Sequence, residues 1–597
     1  MKEPAPIWGL GFSPAAEAVL KQLEQACLLD GILCSSTSEA KPSELLQRHW
    51  LQAGGFVIVG ACGLVSRLIA PLLTSKTTDP AVVVLDPKGR FAVPLLSGHS
   101  GGAEALSERV AALLGGSAVL TGGSSSAGRL ALDSFGSSWG WRRGSGDWDA
   151  LMKRSAREDQ LSVEQQCGSP LWRQSAAGLG HAEPEPSPAA DEPADLVISA
   201  SLGTGCRWHP PQLWLGMGCE RGTSLAVLQQ LLKQTLAAHG LAEAAVAGLA
   251  SIDRKGDEEA LLALAAEHHW PLRLYGAAAL AAVTVPNPSE VVRKDMGTAS
   301  VAEAASLLAA GPQGKLLVPK TVLHGSDDQR GAATLAVAAA QQSWAPQRGA
   351  LQLIGSGPGS LTLLTPEARE ALSRCSVWVG YGLYLDLLEP LRRSDQVRLD
   401  GELTRERDRC AQALELACQG IEVALISSGD SGIYGMAGLA LELWLNLAES
   451  ERPPFAVHPG ISAVQLAAAR CGAPLMHDFC TISLSDRLTP WKVIERRLIA
   501  AAAGDFVVAL YNPRSQGRTW QLERAVELLQ QGRDRSIPVA MARQLGRADE
   551  QISLHTLGSL PIEEVDMLTL VLVGNSSTRA EAGKLVTPRG YPGAELS

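Results

Sequence analysis

Short polar and glycine-rich segments follow several strand-like runs in the C-terminal part of the sequence. Leu351–Gly359 reads LQLIGSGPG, and similar segments occupy Ser427–Met436, His458–Ala463, Tyr511–Ser515 and Val573–Arg579. Closely spaced glycines let a backbone approach a ligand without interference from a Cβ atom. Open α/β sheets hold ligands at the carboxyl ends of their strands. The set therefore predicts one ligand-binding site built from several loops.

Two N-terminal segments could also do chemistry. Gly60–Arg67 follows a strand-like run and opens a helical pattern, which is typical of an anion site at a helix N-terminus. Pro94–Glu104 places His99 among glycines shortly before Glu104, and both side chains could serve acid–base catalysis. A turn histidine and a first-turn glutamate favoured by the helix dipole explain the same residues equally well.

Composition limits the classes of protein that these segments can belong to. The 597 residues predict about three to five domains. A formal charge of −10 argues against a nucleic-acid partner. The 11 cysteines contain no CxxC pair, and HExxH is absent, so we expect reduced thiols, a cytoplasmic location and no metal site. No apolar run is long enough to cross a bilayer, and the N-terminus lacks a signal-peptide layout, so we expect no membrane partner.

Strand-like and helix-like stretches alternate along most of the chain, which indicates an α/β fold. The stretch Ser175–Asp195 is rich in proline, alanine and acidic residues and predicts a linker. The predicted strands are Phe56–Val59, Ala81–Leu85, Phe91–Leu96, Leu351–Ile354, Val377–Val379, Glu422–Ile426, Phe506–Leu510 and Leu568–Val573, and the predicted helices include Ala103–Leu114, Leu403–Cys418 and Thr489–Ala503.

Residues 350–597 resemble the tetrapyrrole methyltransferases of cobalamin biosynthesis, and among these the precorrin-3B C17-methyltransferases. The resemblance rests on the loops above and on Gly472–Phe479, Ile482–Asp486, Thr489–Trp491, Asp505–Ser515 and Val586–Tyr591. It implies two α/β lobes with S-adenosylmethionine in the cleft between them. Two positions depart from the family pattern: Ser431 stands where proline is usual, and Ser360 where aspartate is common.

By motif, the resemblance implies a donor pocket that is made of nine residues. They are Pro358, Gly429, Asp430, Ile433, Ser462, Ala463, Tyr511, Ala542 and Thr569. The carboxylate of Asp430 suits hydroxyl or ammonium groups of the donor. The alternative for Asp430 is an ordinary turn or helix-capping residue.

The methyl acceptor of this family carries many carboxylate arms, which arginine pairs in bidentate fashion. Candidates to bind them are Arg487, Arg496 and Arg514, with Lys492, Arg497, Arg518 and Arg543 as further cations. A solvated surface charge is the alternative for each. His477 and Asp478 are candidates for proton transfer, or equally for a structural pair.

Residues 1–340 resemble the cobalt-precorrin-5A hydrolases of the same pathway. The supporting segments are 60–67, 76–80, 94–104, 216–224, 251–255, 297–304 and 316–320. That family opens a lactone and releases acetaldehyde, which requires an activated water and a place for the oxyanion. His99 or Glu104 could supply the base. Cys219, like Cys62, could be a nucleophile or a small buried side chain, and Arg221 could hold a substrate carboxylate.

Together these observations predict a multidomain α/β protein with two hydrolase-like α/β units followed by a two-lobed tetrapyrrole methylase domain. The expected domains are 1–140 and 208–342 for the hydrolase, 141–207 for a middle region with the linker, and 350–597 for the methyltransferase. The expected function is bifunctional: methyl transfer to C17 of precorrin-3B or cobalt-factor III with ring contraction, and lactone opening of cobalt-precorrin-5A. Cobalt is expected only within the substrate.

Three other interpretations remain open on the sequence. The N-terminal half could be a corrinoid-binding scaffold without catalysis, and the methyltransferase could act on another acceptor. A dinucleotide-dependent enzyme is the third, although Ser360 stands where that fingerprint needs glycine. The family resemblance also suggests a homodimer through the methyltransferase domain.

Overall fold

The computed structural model describes residues 5–34, 40–75, 78–98, 101–121, 129–157, 159, 161–178, 194–326, 329–402, 405–515 and 517–592. Within these ranges the chain forms a series of units, each built around its own main sheet. The prediction of a multidomain α/β fold is confirmed at this level. The expectation that the N-terminal units are hydrolase-like is not supported by the described sheets, and mixed α/β is the description that stands.

A six-stranded sheet organises the first unit. Its elements are β1 Ile7–Gly11, α1 Pro14–Gln25, β2 Gly31–Cys34, α2 Pro42–His49, β3 Gly55–Val59, α3 Cys62–Ile69, β4 Ala81–Leu85, β5 Phe91–Leu96, α4 Ala103–Leu114 and β6 Ser117–Ala118. The strand order is β2-β1-β3-β4-β5-β6, with β5 antiparallel to β4. Strands β3 and β4 are buried at every position because helices cover both faces of the sheet.

The middle region is a small sheet packed around tryptophans. Its elements are β7 Arg142–Arg143, α5 Trp148–Ala156, β8 Val163–Gln165, β9 Leu196–Ile198 and β10 Cys206–His209. The strand order is β7-β10-β9-β8. Five tryptophans belong to its core: Trp139, Trp141, Trp148, Trp172 and Trp208.

The third unit is built around a five-stranded sheet. Its elements are β11 Leu213–Cys219, α6 Leu225–Ala238, β12 Val246–Ile252, α7 Glu259–Glu267, β13 Leu272–Tyr275, α8 Ala277–Ala281, α9 Glu290–Met296, α10 Ala302–Ala310, β14 Lys315–His324 and β15 Ala332–Ala339. The strand order is β13-β12-β11-β15-β14. Strands β11, β12 and β13 are parallel, so the loops after β11 and β12 meet at one edge of the sheet.

The C-terminal part begins with a fully parallel sheet, which forms its first lobe. The elements are β16 Ala350–Gly355, α11 Pro366–Arg374, β17 Val377–Tyr381, α12 Gly382–Leu388, β18 Val397–Gly401, α13 Glu406–Cys418, β19 Glu422–Ser427, α14 Ala437–Leu445 and β20 Phe455–His458. The order is β18-β17-β19-β16-β20. The chain leaves the adjacent strands β16 and β19 in opposite directions, which opens a crevice at their carboxyl ends.

The second lobe has a mixed five-stranded sheet and a small three-stranded one. Its elements are α15 Ala463–Cys471, β21 Gly472–Ala473, β22 Phe479–Ser483, α16 Trp491–Ala503, β23 Val507–Tyr511, α17 Gln521–Gln530, β24 Pro538–Arg543, β25 Gln551–Thr556, β26 Thr569–Val573, β27 Arg579–Glu581 and β28 Lys584–Val586. The orders are β22-β23-β26-β24-β25 and β21-β28-β27.

The N-terminal units pack directly against the first lobe of the C-terminal part. One hydrophobic cluster contains the tryptophans of the middle region together with Leu351, Val377 and Leu425 of that lobe. Helices α4 and α11 also meet, and Arg109 Nε lies 2.8 Å from Glu370 Oε1 across this contact. The middle region thus shares a core with the first lobe, and the first unit contacts the same lobe through α4, so these units form one packed assembly. In the described part of the chain, no helix is both long and apolar enough to cross a membrane.

Candidate functional site

A cleft of about 200 Å³ lies between the two lobes, at the carboxyl ends of β16, β19 and β23. It combines glycine-rich backbone, polar side chains and aromatic rings. Its described lining is Pro358, Tyr384, Ser428, Gly429, Asp430, Ile433, Tyr434, Ser462, Ala463, Tyr511, Asn512, Gln544, Leu545, Arg547, Met567, Leu568, Thr569 and Leu570.

Glycine loops form the floor of this cleft. The N–H of Gly357 donates to the carbonyl of Gly429 at 3.1 Å, and the N–H of Gly429 donates back to Gly357 at 2.8 Å. Gly460 lies so close that a Cβ atom there would be 2.0 Å from the Gly429 carbonyl oxygen. These contacts require glycine at 460 and hold the loops after β16, β19 and β20 together.

Asp430 connects two of these loops through its carboxylate. Oδ1 accepts a hydrogen bond from the Gly432 N–H at 2.8 Å, and Oδ2 accepts one from the Gly460 N–H at 3.1 Å. Each carboxylate oxygen has a second lone pair for a further donor. Asp430 can therefore both fix the loops and bind an ammonium or hydroxyl group in the cleft.

Two tyrosines form one wall of the cleft. The ring centroids of Tyr434 and Tyr511 are 5.1 Å apart. Tyr511 Oη accepts a hydrogen bond from the Val464 N–H at 3.0 Å, and Tyr434 Oη donates to the Thr481 carbonyl at 2.9 Å. Burial raises the pKa of Tyr511, so its hydroxyl stays protonated at neutral pH. The two ring faces give this wall apolar contact area for a ligand, while Tyr434 is half-exposed.

The cleft contains three residues with a strained backbone. Tyr434, Asn512 and Gln544 have φ values of 54°, 50° and 50°, the left-handed region that non-glycine residues seldom occupy. All three line the cleft. Strained residues are typical of ligand sites, where the surrounding structure holds them in place. Tyr434 and Asn512 belong to the segments Ser427–Met436 and Tyr511–Ser515 that the sequence indicated, whereas no sequence pattern indicated Gln544.

Eight of the nine predicted donor-site residues lie in this cleft: Pro358, Gly429, Asp430, Ile433, Ser462, Ala463, Tyr511 and Thr569. Ala542 is not among its described lining. That residue is fully buried within β24 and belongs to a hydrophobic cluster of the second lobe. Ala542 is therefore not exposed to the cleft, and its predicted role in the donor pocket is not supported.

His477 and Asp478 do not reach the cleft. They immediately precede β22, whose carboxyl end, like that of its parallel neighbour β23, faces the cleft. Five strand residues at about 3.3 Å each separate the two ends. His477 Nε2 instead lies 2.8 Å from the Pro588 carbonyl oxygen. The structure thus favours the structural alternative for this pair.

The predicted arginines differ in their availability. Arg487 and Arg496 are exposed. Arg514 donates to the Ile562 carbonyl at 2.8 Å and pairs with Glu563 at 2.6 Å, so its guanidinium is already engaged. Arg518 donates to the Asn512 carbonyl at 2.7 Å and so supports a strained residue of the cleft.

Sequence reasoning missed Tyr384 and Arg547, which both line the cleft. Neither belongs to a glycine-rich motif, and Arg547 follows a turn after β24 of the second lobe. The cations predicted to bind the acceptor were chosen from segments near the recognised motifs. No feature of the sequence distinguishes Arg547 from other surface cations.

A second cavity, of about 570 Å³, lies where the first unit, the middle region and the first lobe meet. Glu104, in the first turn of α4, lines it with Glu108, Asp133 and Arg393. Burial raises the pKa of Glu108 to about 7 despite the opposing charge of Arg393, whose Nη1 is 3.5 Å away. His99 lies outside the described residues.

Cys219 and Arg221 lie elsewhere, at the edge of the third unit where the loops after β11 and β12 meet. Arg221 pairs with Asp257 at 2.6 Å and is largely exposed. Close by, buried Lys255 pairs with buried Glu258 at 3.1 Å. Burial raises the pKa of the Cys219 thiol, so the thiolate that a nucleophile needs is disfavoured. Cys219 itself is half-buried, so the small buried alternative describes it only in part.

Three family models match this chain. Cobalamin synthesis G N-terminal matches residues 44–125, Cobalamin synthesis G C-terminus matches 213–338, and Tetrapyrrole (Corrin/Porphyrin) Methylases matches 350–561. A probable cobalt-factor III C(17)-methyltransferase of Salmonella typhimurium is 49% identical over 243 residues, which cover 40% of this chain and 99% of that protein. A precorrin-3B C(17)-methyltransferase of a Sinorhizobium species is 43% identical over 252 residues, covering 41% and 98%.

Solved structures of similar proteins include the methyltransferase CobJ, at 38% identity and a TM-score of 0.39, covering 40% of this chain and all of that one. CobE, a protein from the cobalamin biosynthetic pathway, has 38% identity and a TM-score of 0.20, covering 22% and 91%. Through its C-terminal part the chain belongs to the tetrapyrrole methylase family, and it joins to this the two domains of the cobalamin synthesis G family.

Proposed function

We propose that this chain is a bifunctional enzyme of cobalamin biosynthesis. Its C-terminal part transfers a methyl group from S-adenosylmethionine to C17 of cobalt-factor III or precorrin-3B, with ring contraction. Its N-terminal part opens the lactone of cobalt-precorrin-5A and releases acetaldehyde. The observation that carries the first activity is the match, over 99% of its length, to a C(17)-methyltransferase that is 49% identical.

The cleft suits the donor in its chemistry. When bound, S-adenosylmethionine supplies a methyl group activated by sulfonium: the acceptor carbon bonds to it while the electron pair of the broken C–S bond stays on sulfur. The protein must align the two reactants and exclude water. The loops joined at Gly357, Gly429 and Gly460 fix the backbone, Asp430 is placed for an ammonium or hydroxyl group, and the rings of Tyr434 and Tyr511 form one wall.

The presence of a hydrolase with a cobalt-containing substrate in the same chain favours cobalt-factor III as the acceptor. The test is mass spectrometry of the pigment after incubation of the full-length protein with S-adenosylmethionine and cobalt-factor III, with precorrin-3B in a parallel reaction. We expect a gain of one methyl group on the cobalt-containing pigment. Methylation of precorrin-3B alone would contradict the cobalt assignment, and methylation of neither would contradict the proposed acceptor class.

Support for the lactone hydrolase comes from the two family matches within residues 44–338 and from the cavity beside Glu104. Glu104 is the proposed base that activates water there. Full-length protein incubated with cobalt-precorrin-5A should release acetaldehyde. Glu104→Gln should abolish this release, whereas Glu259→Gln, which changes a glutamate in the first turn of α7, should not. Equal rates of acetaldehyde release for the two variants would contradict the role of Glu104 as the base.

The alternative is that the N-terminal half is a corrinoid-binding scaffold. Pigment binding without acetaldehyde release by the wild-type protein would favour it. We also propose a homodimer through the methylase domain, which light scattering of the purified protein tests directly. We also propose a cytoplasmic location, because ten cysteines in the described part of the chain are free thiols.

A further inference from the structure

Among the described residues that line the interlobe cleft, only Asp430 and Arg547 carry a formal charge. Asp430 comes from the first lobe and Arg547 from the second, so one anion and one cation face the same space. The Asp430 carboxylate is partly engaged by two backbone N–H groups. Arg547 therefore provides the positive charge with which this cleft can bind an anion.

The turn after β24 holds Arg547 at the boundary between the lobes. The Arg547 N–H donates to the Gln544 carbonyl at 3.1 Å, and Gln544 is one of the strained residues. The aliphatic stem of Arg547 packs on Gly359 of the first lobe, where a Cβ atom would lie 3.0 Å from Arg547 Cγ. The backbone and stem are thus fixed, while the guanidinium extends beyond these contacts.

Neighbouring arginines of the second lobe have protein partners. Arg514 pairs with Glu563, Arg518 donates to Asn512 and Ser485, and Arg543 pairs with Asp566 at 2.8 Å. The described residues offer the Arg547 guanidinium no hydrogen bond or ion pair. Half-buried Tyr384 also lines the cleft. Burial raises the pKa of its phenol, and the charge of Arg547 opposes the rise. Arg547 is half-buried, so the five N–H donors of its guanidinium are free of protein partners within the described residues and can bind a ligand in place of water.

We propose that Arg547 binds a carboxylate of a ligand in the cleft. This inference rests on the proposed function, which offers two sources of that chemistry: the α-carboxylate of the methyl donor and a carboxylate arm of the macrocycle. A guanidinium pairs with either in a bidentate geometry that lysine cannot reproduce. If the donor is the source, Arg547 would bind the carboxylate and Asp430 the ammonium group of its amino-acid part.

Three ligands distinguish the sources. Arg547→Gln and Arg547→Lys are compared with wild type by calorimetry for S-adenosylhomocysteine and for 5′-methylthioadenosine, which lacks the amino-acid carboxylate. The KM for cobalt-factor III is measured in parallel. If the donor is the source, Arg547→Gln weakens S-adenosylhomocysteine binding about 10- to 100-fold and leaves 5′-methylthioadenosine unchanged. If the macrocycle is the source, only its KM rises, by a similar factor.

Arg535→Gln serves as the control, because Arg535 is exposed before β24 and does not line the cleft. Arg535→Gln should change neither the affinity for S-adenosylhomocysteine nor the KM for cobalt-factor III. All variants should have the same thermal midpoint as the wild type. If the wild type binds S-adenosylhomocysteine and the macrocycle, and neither Arg547 variant changes the affinity or the KM, the inference is overturned while the proposed function stands. Failure of the wild type to bind S-adenosylhomocysteine or the macrocycle would overturn the proposed function itself.

Discussion

At the scale of single residues, the loop after β19 contains a hydroxyl without a partner. Ser431 is fully buried, and its Oγ has no hydrogen-bond partner among the described residues. The related methyltransferases usually have proline at this position, which brings no side-chain donor or acceptor. A buried hydroxyl without a partner carries a desolvation cost of about 1–3 kcal/mol. Ser431 therefore destabilises its loop without an evident structural gain.

Ser431→Ala should stabilise the methylase domain by about 1 kcal/mol because it removes this cost. Its thermal midpoint should rise by about 2–4 °C in a fluorescence-monitored melt. Ser360→Ala is the matched control, since the Ser360 hydroxyl accepts a hydrogen bond from the Thr362 N–H at 3.3 Å. That variant should not gain stability. A fall in midpoint for Ser431→Ala would show that its hydroxyl has a partner.

Glu108 makes the contact between the first unit and the first lobe sensitive to pH. Burial raises its pKa from 4.5 to about 7, against the effect of Arg393, while Asp395 and Glu104 add to the rise. The folded state therefore keeps a proton that an unfolded glutamate loses near pH 4.5. Folding takes up a proton in this window, so stability should fall as the pH rises from about 4.5 through about 7.

Glu108→Gln should remove this dependence. We expect a higher thermal midpoint than wild type at about pH 8 and an equal one at about pH 4, because glutamine has no charge to desolvate. Arg393 would still pair with Asp395 at 2.9 Å. Melts recorded across this pH range measure the difference. A Glu108→Gln variant that is less stable than wild type at pH 8 would mean that the pair with Arg393 outweighs burial.

At the scale of elements, two chain turns cross without any side chain between them. Gly140 ends a short helical turn of the middle region with φ 74°, and Gly420 follows α13. A Cβ atom on Gly140 would lie 2.7 Å from the Gly420 Cα atom. Ser376 Oγ also donates to the Ser138 carbonyl at 3.0 Å. The middle region therefore docks on the first lobe through backbone contact.

Gly140→Ala should destabilise the protein by more than left-handed strain alone. Gly115 is the matched control, because it ends α4 with φ 67° and has open space around its Cβ position. Gly115→Ala should cost about 1 kcal/mol from strain. Gly140→Ala should cost at least about 2 kcal/mol more, because one backbone must move. Equal thermal midpoints for the two variants would contradict the close crossing.

Local elements were predictable from the sequence because their signals are local. Ala81–Leu85, Phe91–Leu96 and Ala103–Leu114 have the predicted bounds, the last because glycines in the left-handed region flank α4. The strand predicted at Phe506–Leu510 is displaced by one residue, to Val507–Tyr511. The role of Arg547 and the shared tryptophan core depend on contacts between distant residues, which periodicity and spacing do not encode.

At the scale of the whole molecule, the two halves are not independent bodies joined by a linker. The tryptophan cluster of the middle region continues into the first lobe, and Ala177 N–H donates to the Ser394 carbonyl at 2.8 Å. On the far side, Arg273 pairs with Glu451 while stacking on Trp214 and Trp344. Cutting the chain near residue 345 would expose this apolar surface, so each activity is best tested in the full-length protein.

Two activities in one packed chain can still be separated by point substitution, because their sites are distinct. Asp430 lines the interlobe cleft, whereas Glu104 lines the cavity shared by the first unit, the middle region and the first lobe. Asp430→Ala removes a carboxylate that accepts from Gly432 and Gly460 and that faces the proposed donor. It should lower kcat/KM for methyl transfer at least about 100-fold.

The most direct test of the bifunctional account is to measure both products from full-length Asp430→Ala, namely methylated pigment from cobalt-factor III and acetaldehyde from cobalt-precorrin-5A. We predict that methylated pigment disappears while acetaldehyde release continues at the wild-type rate. An unchanged rate of methylation would contradict the placement of the donor in the interlobe cleft. Wild-type protein that methylates its pigment but releases no acetaldehyde would contradict the claim of a second enzyme in this chain.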